Sequence, residues 1–252
     1  MLIIILFFFG HWYLSLFTQS FFHHRYASHA AFTMNKFWEK FFYILSYFFQ
    51  GSSYLSPRTY AILHRTHHAY TDTEKDPHSP KYFPNMLAMM WSTGVIYTRL
   101  FFGRTTAEER FQKNLPDWKW LDKMAHTWAS RIAWCVFYVA FYIYFAPYWW
   151  LYLLLPIHFM MGPFHGLIIN WFAHKYGTDD YKQDNTSKNL FPVDILMLGE
   201  SYHNNHHMYP SSANFGRKWF QIDPLYPVIL VFKWVGIIQI KKSKLATVPT
   251  EW

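Results

Sequence analysis

Fifteen of the 252 residues are histidine, and most of them stand in three short clusters. These are His24-Arg-Tyr-Ala-Ser-His29, His64-Arg-Thr-His67-His68 and His203-Asn-Asn-His206-His207, and a lone His174 follows Asn170. Neutral imidazole is the commonest side-chain metal ligand. Residues at i, i+3 and i+4 share one face of a helix. His64, His67 and His68 can therefore aim at one region, and His203, His206 and His207 can do the same. The five-residue gap from His24 to His29 suits a helix end where the backbone loosens. Nine such donors exceed what one ion needs, so the pattern points to two ions. A zinc hydrolase fits poorly, because zinc sites take about four ligands and no HExxH pattern accompanies these clusters.

The clusters must be carried by elements that bring them together, and those elements are apolar. Leu2 to His24 has no Asp, Glu, Lys or Arg, and at about 1.5 Å per residue it can cross a hydrocarbon core of roughly 30 Å. With no basic start and no small-residue cleavage site it reads as a span, not a signal peptide. Ile132 to His174 is the longest uncharged stretch and suffices for two crossings, about 132–147 and 149–173, with a turn near Ala146-Pro147-Tyr148. Segments near 37–56, 85–102 and 224–240 are too short or too polar to span and read as interfacial helices. Arg99, Arg104, Arg110, Lys113, Lys119, Lys123 and Arg131 mark the intervening stretch as cytoplasmic under the positive-inside rule. If the first two clusters share a metal centre, the segment Phe41–Pro57 must not cross the membrane. The expected fold is an all-α integral membrane protein: one domain over 1–252, about three transmembrane helices, and a cytoplasmic helical cap holding a histidine-rich dimetal site.

Composition narrows the class. Hydrophobic residues make up 52%, aromatics 23% and charged residues only 15%, against about a quarter charged in an average soluble domain. The net charge is +8, but there is no compact Lys/Arg stripe, so no nucleic-acid partner is expected. The single Cys135 excludes an internal disulfide. A metal transporter would carry ionisable residues along its spans, whereas here the ligand candidates gather beside them.

The motifs resemble those of the integral-membrane fatty acid desaturases, specifically the delta-9 acyl-CoA branch. The matching residues are His24–His29, His64–His68 with Asp76-Pro77-His78, Asn170-Trp-Phe-Ala-His174, and Gly199-Glu200-Ser-Tyr-His203-Asn204-Asn-His206-His207. The last motif is the most specific. Relatives usually have two spans before the first histidine box, and only one fits here, so three spans in all are expected.

The resemblance implies that His24, His29, His64, His67, His68, His174, His203, His206 and His207 bind two irons, with Asn170 contacting one through water. It implies an O2-dependent reaction that turns a methylene pair into a cis double bond. The substrate would be a fatty acyl thioester, on coenzyme A or acyl-carrier protein. A membrane hydroxylase or a desaturase of intact lipids would use the same metal shell. Zinc could replace iron in purified protein. No haem or flavin motif is visible, so electrons would come from a cytochrome b5, ferredoxin or rubredoxin. Glu200 and Asp76 are the expected partners of ligand histidines, with Asp72 and Asp194 as further candidates. His11, His23, His78, His126, His158 and His165 fall outside the matched positions and are expected not to ligate. Arg58, Arg65, Lys75 and Lys81 are candidates for the head group.

Overall fold

The computed structural model describes residues 1–241, and 242–252 lie outside the described residues. Helix α1 (Leu2–Thr18) runs without interruption into a π-helix, Gln19–Ser28. A short strand β1 (Phe32–Met34) leads to α2 (Lys36–Gln50) and α3 (Pro57–Tyr70). Then come α4 (Met86–Phe101), α5 (Lys119–Ala125) and α6 (Trp128–Phe145). The chain returns through α7 (Leu155–Phe159), α8 (Met161–Leu167) and a second π-helix, Ile168–Phe172. Short α9 (His203–Met208), α10 (Leu225–Trp234) and β2 (Ile238–Ile240) complete it.

The helix starts follow local chemistry. Asn35, Asn85 and Thr127 each accept the backbone N–H three residues on, at 2.9–3.2 Å, and so cap α2, α4 and α6. Ser56 caps α3 with Pro57 in its first turn, where a missing N–H costs nothing.

Two helices are long and apolar enough to cross a membrane, Leu2–Ser28 and Trp128–Phe145. The third candidate covers the stretch expected as a span over 149–173. It is two pieces, Trp149–Phe159 and Met161–Phe172, bent by 76°. Pro156, Gly162 and Pro163 lie around this break, and proline removes the N–H that would continue a helix. The freed backbone groups are met from a distant loop: Ser52 Oγ donates to the Phe159 carbonyl at 3.0 Å, and Gly162 N–H donates to Ser53 Oγ at 3.0 Å. Broken helices are tolerated at membrane depth only where protein buries them in this way.

That loop, Gly51–Ser53, is the far point of the segment between the first two histidine clusters. Helix α2 leaves the site along α1, turns at Gly51, and α3 comes back. His29 and His64 meet at 2.8 Å, so the two ends of the segment lie together. Gly51 turns at φ +53°, and an added Cβ there would overlap the Tyr138 hydroxyl. Gly51→Ala is therefore expected to destabilise the protein by about 2–4 kcal/mol. Thermal unfolding in detergent checks this, and an unchanged midpoint would refute it.

The final segment also departs from the expected helix over 224–240. The helix ends at Trp234, Gly236 takes a positive φ of 78°, and β2 pairs antiparallel with β1, Ile238 opposite Met34. The pair covers a core of Phe21, Phe22, Phe32, Phe42, Tyr43 and Ile229, all at most 1% exposed. Inside the apolar bundle, His11 and His158 join Nδ1 to Nδ1 at 2.7 Å, and His158 Nε2 meets the Tyr142 hydroxyl at 3.0 Å. These bonds fasten α1 to α7 and α6, each worth about 0.6–2 kcal/mol in such surroundings.

Candidate metal centre

The π-helix makes the first cluster work. In it the His29 N–H donates to the His24 carbonyl, five residues back, at 3.1 Å. A five-residue spacing is then one turn, and both imidazoles face the same side. The second cluster lies on α3, which packs against this segment. The third forms α9. The amide of Asn204 bonds Tyr181 and Ser187, and that of Asn205 bonds Phe215 and Gln221, so the short helix is held on both flanks.

All nine expected histidines come together, in two groups. His24, His29, His64, His68 and His206 form one; His67, His174, His203 and His207 form the other; within each group the ligand atoms lie within 4.8 Å of one another. Nε2 atoms face Nε2 atoms: His24 to His206 at 3.0 Å, His68 to His206 at 2.9 Å, His174 to His203 at 3.0 Å and His67 to His207 at 3.2 Å. Metal–nitrogen bonds of about 2.1 Å place neighbouring ligands roughly 3 Å apart, so these nitrogens fit ions. Burial, reinforced by neighbouring histidines, pushes His29, His64, His68, His203, His206 and His207 well below the ordinary histidine value. Neutral imidazoles are the form that ligates. Asn170 is half-buried and lines the adjoining cavity together with His203.

Each group has a carboxylate behind it. Glu200 Oε2 lies 2.6 Å from His24 Nδ1, and Asp76 lies 2.9 Å from His67 Nδ1. Burial pushes Glu200 up, but His24, and then Arg25 and Ser20, outweigh it and hold the carboxyl below its usual range. Asp76 is raised by burial, and His78 and two backbone N–H groups only partly offset this. Asp72 accepts from Ser79 Oγ and from the Thr186 N–H, both at 2.6 Å, while Thr186 Oγ1 meets His174 Nδ1 at 3.1 Å. Asp194 contacts no imidazole in this way. It accepts the Met197 and Ser201 N–H groups and so shapes the turn before Glu200.

Other supporting residues gave no signal in the sequence. Arg25, fully buried, donates to Ser20 Oγ at 3.0 Å and to Asp223 at 2.7 Å, and Ser20 donates to Glu200. Arg25 also stacks over Phe215, whose ring packs on His206 at 4.6 Å. Asp223 is 198 residues from Arg25, so no local pattern links them.

Among the histidines expected not to ligate, His23 bonds the Thr18 and Leu55 carbonyls, and His126 bonds Tyr97 and the Asp122 carbonyl. His78 lies closer to the site than expected, its ring 4.4 Å from that of His67 at a tilt of 35°, and it is grouped with His67 and Asp76.

A cavity of about 1020 Å³ adjoins the two groups. Leu16, Leu63, Met90, Ile169 and Met197 give it apolar walls; His24, His64 and His203 line one part, and exposed Arg99 and Arg104 another. Of the basic residues considered for the head group, Arg65 is committed to the carbonyls of Ala27, Ser28, Phe111 and Lys113.

Apolar helices long enough to cross a membrane, two histidine groups able to hold metal and an adjoining apolar cavity define the class, a membrane metalloprotein with an apolar substrate chamber. The fatty acid desaturase model matches residues 1–232. The chain is similar to the delta-9 desaturase-like 5 protein of Arabidopsis thaliana, 29% identical over 90% of this chain and 75% of that one. It is similar to delta-9 acyl-lipid desaturase 2 of the same plant, 29% identical over 91% of this chain and 70% of that one. It also resembles the acyl-CoA 5-desaturase AL21 of Anemone leveillei, 29% identical over 85% of this chain and 64% of that one. The chain belongs to the fatty acid desaturase family, in its delta-9 branch. It is an integral-membrane oxidoreductase that binds metal and acts on fatty acyl chains.

Proposed function

We propose that the protein is an O2-dependent di-iron desaturase that places a cis double bond at the delta-9 position of an acyl-CoA. The observation that carries this is the division of nine histidines into groups of five and four beside an apolar cavity. His24, His29, His64, His68 and His206 would hold one iron; His67, His174, His203 and His207 would hold the other, with Asn170 acting through water. Bound there, the irons supply reductive activation of O2. Glu200 and Asp76 fix the ring orientation of His24 and His67 and increase their basicity. The apolar walls orient the methylene pair and exclude bulk water. Arg99 and Arg104 are suited to phosphates of the head group.

Exposed Lys113, Lys119 and Lys123 are suited to meet an acidic electron carrier of the cytochrome b5, ferredoxin or rubredoxin kind. The membrane placement follows the exposed aromatics. Trp128 is 78% exposed at the start of α6, and Tyr144 and Trp149 are 81% and 78% exposed near its other end. The helix between spans roughly 27 Å, and tryptophan and tyrosine favour the two interfaces. On this reading the metal centre is cytoplasmic and Tyr148 is outside. Tyr148→Cys should react with an impermeant maleimide added to intact cells, and reaction only after lysis would overturn the sidedness.

The test of function is expression in cells lacking unsaturated fatty acids, with lipids read by mass spectrometry. A new double bond between carbons 9 and 10 is expected. Hydroxylated products, or no change with iron-loaded protein and a working reductant, would overturn the reading. The similarity to an acyl-lipid desaturase favours a second reading for the carrier, an intact lipid. Purified protein given labelled acyl-CoA or labelled phospholipid separates the two.

A further inference from the structure

His165 has no place in the metal shell, yet it is 1% exposed and lines the acyl cavity. Neither of its ring nitrogens has a hydrogen-bond partner among the described residues. Its ring stands edge-on to Trp12 at 4.5 Å, and Ile169 and Met197 line the same cavity. It lies five residues before Asn170, where the helix loosens into π geometry, and Asn170 lines that cavity too. A buried polar group left unpaired costs about 1–3 kcal/mol. An alkyl chain cannot meet that need, whereas a water held between His165 and a second polar group can. Gln19, in the π-helix that continues α1, lines the same cavity, and its Oε1 has no partner among the described residues.

We infer that His165 positions a tunnel water and passes protons through it toward the metal centre. The inference rests on the desaturase reading above. In that reaction CH2–CH2 + O2 + 2 e− + 2 H+ gives CH=CH + 2 H2O. The two C–H hydrogens leave in the water formed, the external carrier supplies the electrons, and two protons must enter a cavity with largely apolar walls. Neutral imidazole suits this passage, because one ring nitrogen donates while the other accepts.

His165→Leu and His165→Gln should both retain full metal content. His165→Leu is expected to lower kcat about tenfold with KM for the acyl substrate within twofold of wild type, and to raise the solvent deuterium isotope effect. His165→Gln, whose amide can hold the water but not pass a proton, should recover only part of the rate. His165→Gly should be slow and regain rate with added imidazole, while His165→Leu should not. Independently of turnover, metal-free protein with 15N-labelled histidine should show exchange between the His165 ring protons and water, lost on adding a water-excluding blocker of the cavity. Normal kcat and isotope effect in His165→Leu would overturn the inference. So would a change confined to KM, or loss of metal in both variants, which marks a structural role. A wild-type protein that forms no double bond overturns the proposed function instead.

Discussion

Changing His67 to alanine is expected to lower double-bond formation about a thousandfold, equivalent to roughly 4 kcal/mol of lost transition-state stabilisation. His67 is one of four histidines in its group, and its Nε2 lies 3.2 Å from that of His207. Its loss leaves His174, His203 and His207. It also strands Asp76, whose buried carboxyl is raised by desolvation and has His67 as its imidazole partner. Asp76 then keeps the Asp72 and His78 N–H groups but loses its imidazole, and a buried carboxylate weakened in this way protonates or draws in water, which disturbs the pocket. Metal analysis should fall from two ions per chain toward one, because the five histidines of the other group are untouched. Near-wild-type unsaturation with two ions bound would remove His67 from the shell.

The second large effect is expected at Glu200. Glu200→Gln keeps the shape but removes the charge that His24 Nδ1 faces at 2.6 Å. Loss of such an outer partner typically costs about 10- to 100-fold in metal affinity or activity. The change reaches further here, because Glu200 also accepts from Ser20, which is bonded to Arg25. Arg25 would keep its ion pair with Asp223. Because the folded Glu200 carboxyl lies below its ordinary value of 4.5, it contributes stability that is present above that pH and is lost as pH falls through the lower folded value. Glu200→Gln should lack that part of the acid transition. Chelator competition at neutral pH measures the affinity, and an acid titration followed by circular dichroism measures the second effect. Unaltered metal retention would show that Glu200 serves only to shape its loop.

Much of the centre was legible in the order of residues. His64, His67 and His68, like His203, His206 and His207, have a spacing whose meaning lies within one helical turn. The uncharged run from Leu2 and the glutamate before the last box are equally local. Glu200 and Asp76 stand where the motifs place them, each against a histidine of one of the two groups.

The tertiary structure decided what local spacing cannot carry. It split the histidines five and four, pairing His206 with His24 and His68 across 182 and 138 residues. It converted the HxxxxH gap into one turn of a π-helix, and it broke the last span where serines from Gly51–Ser53 could take up the freed backbone groups. It also brought Asp223 to Arg25 and β2 to β1. Helical periodicity is set by bonds three to five residues long, so a sequence displays it directly. Which faces then meet depends on packing and on satisfying every buried polar group at once, and no single stretch of this chain holds that information.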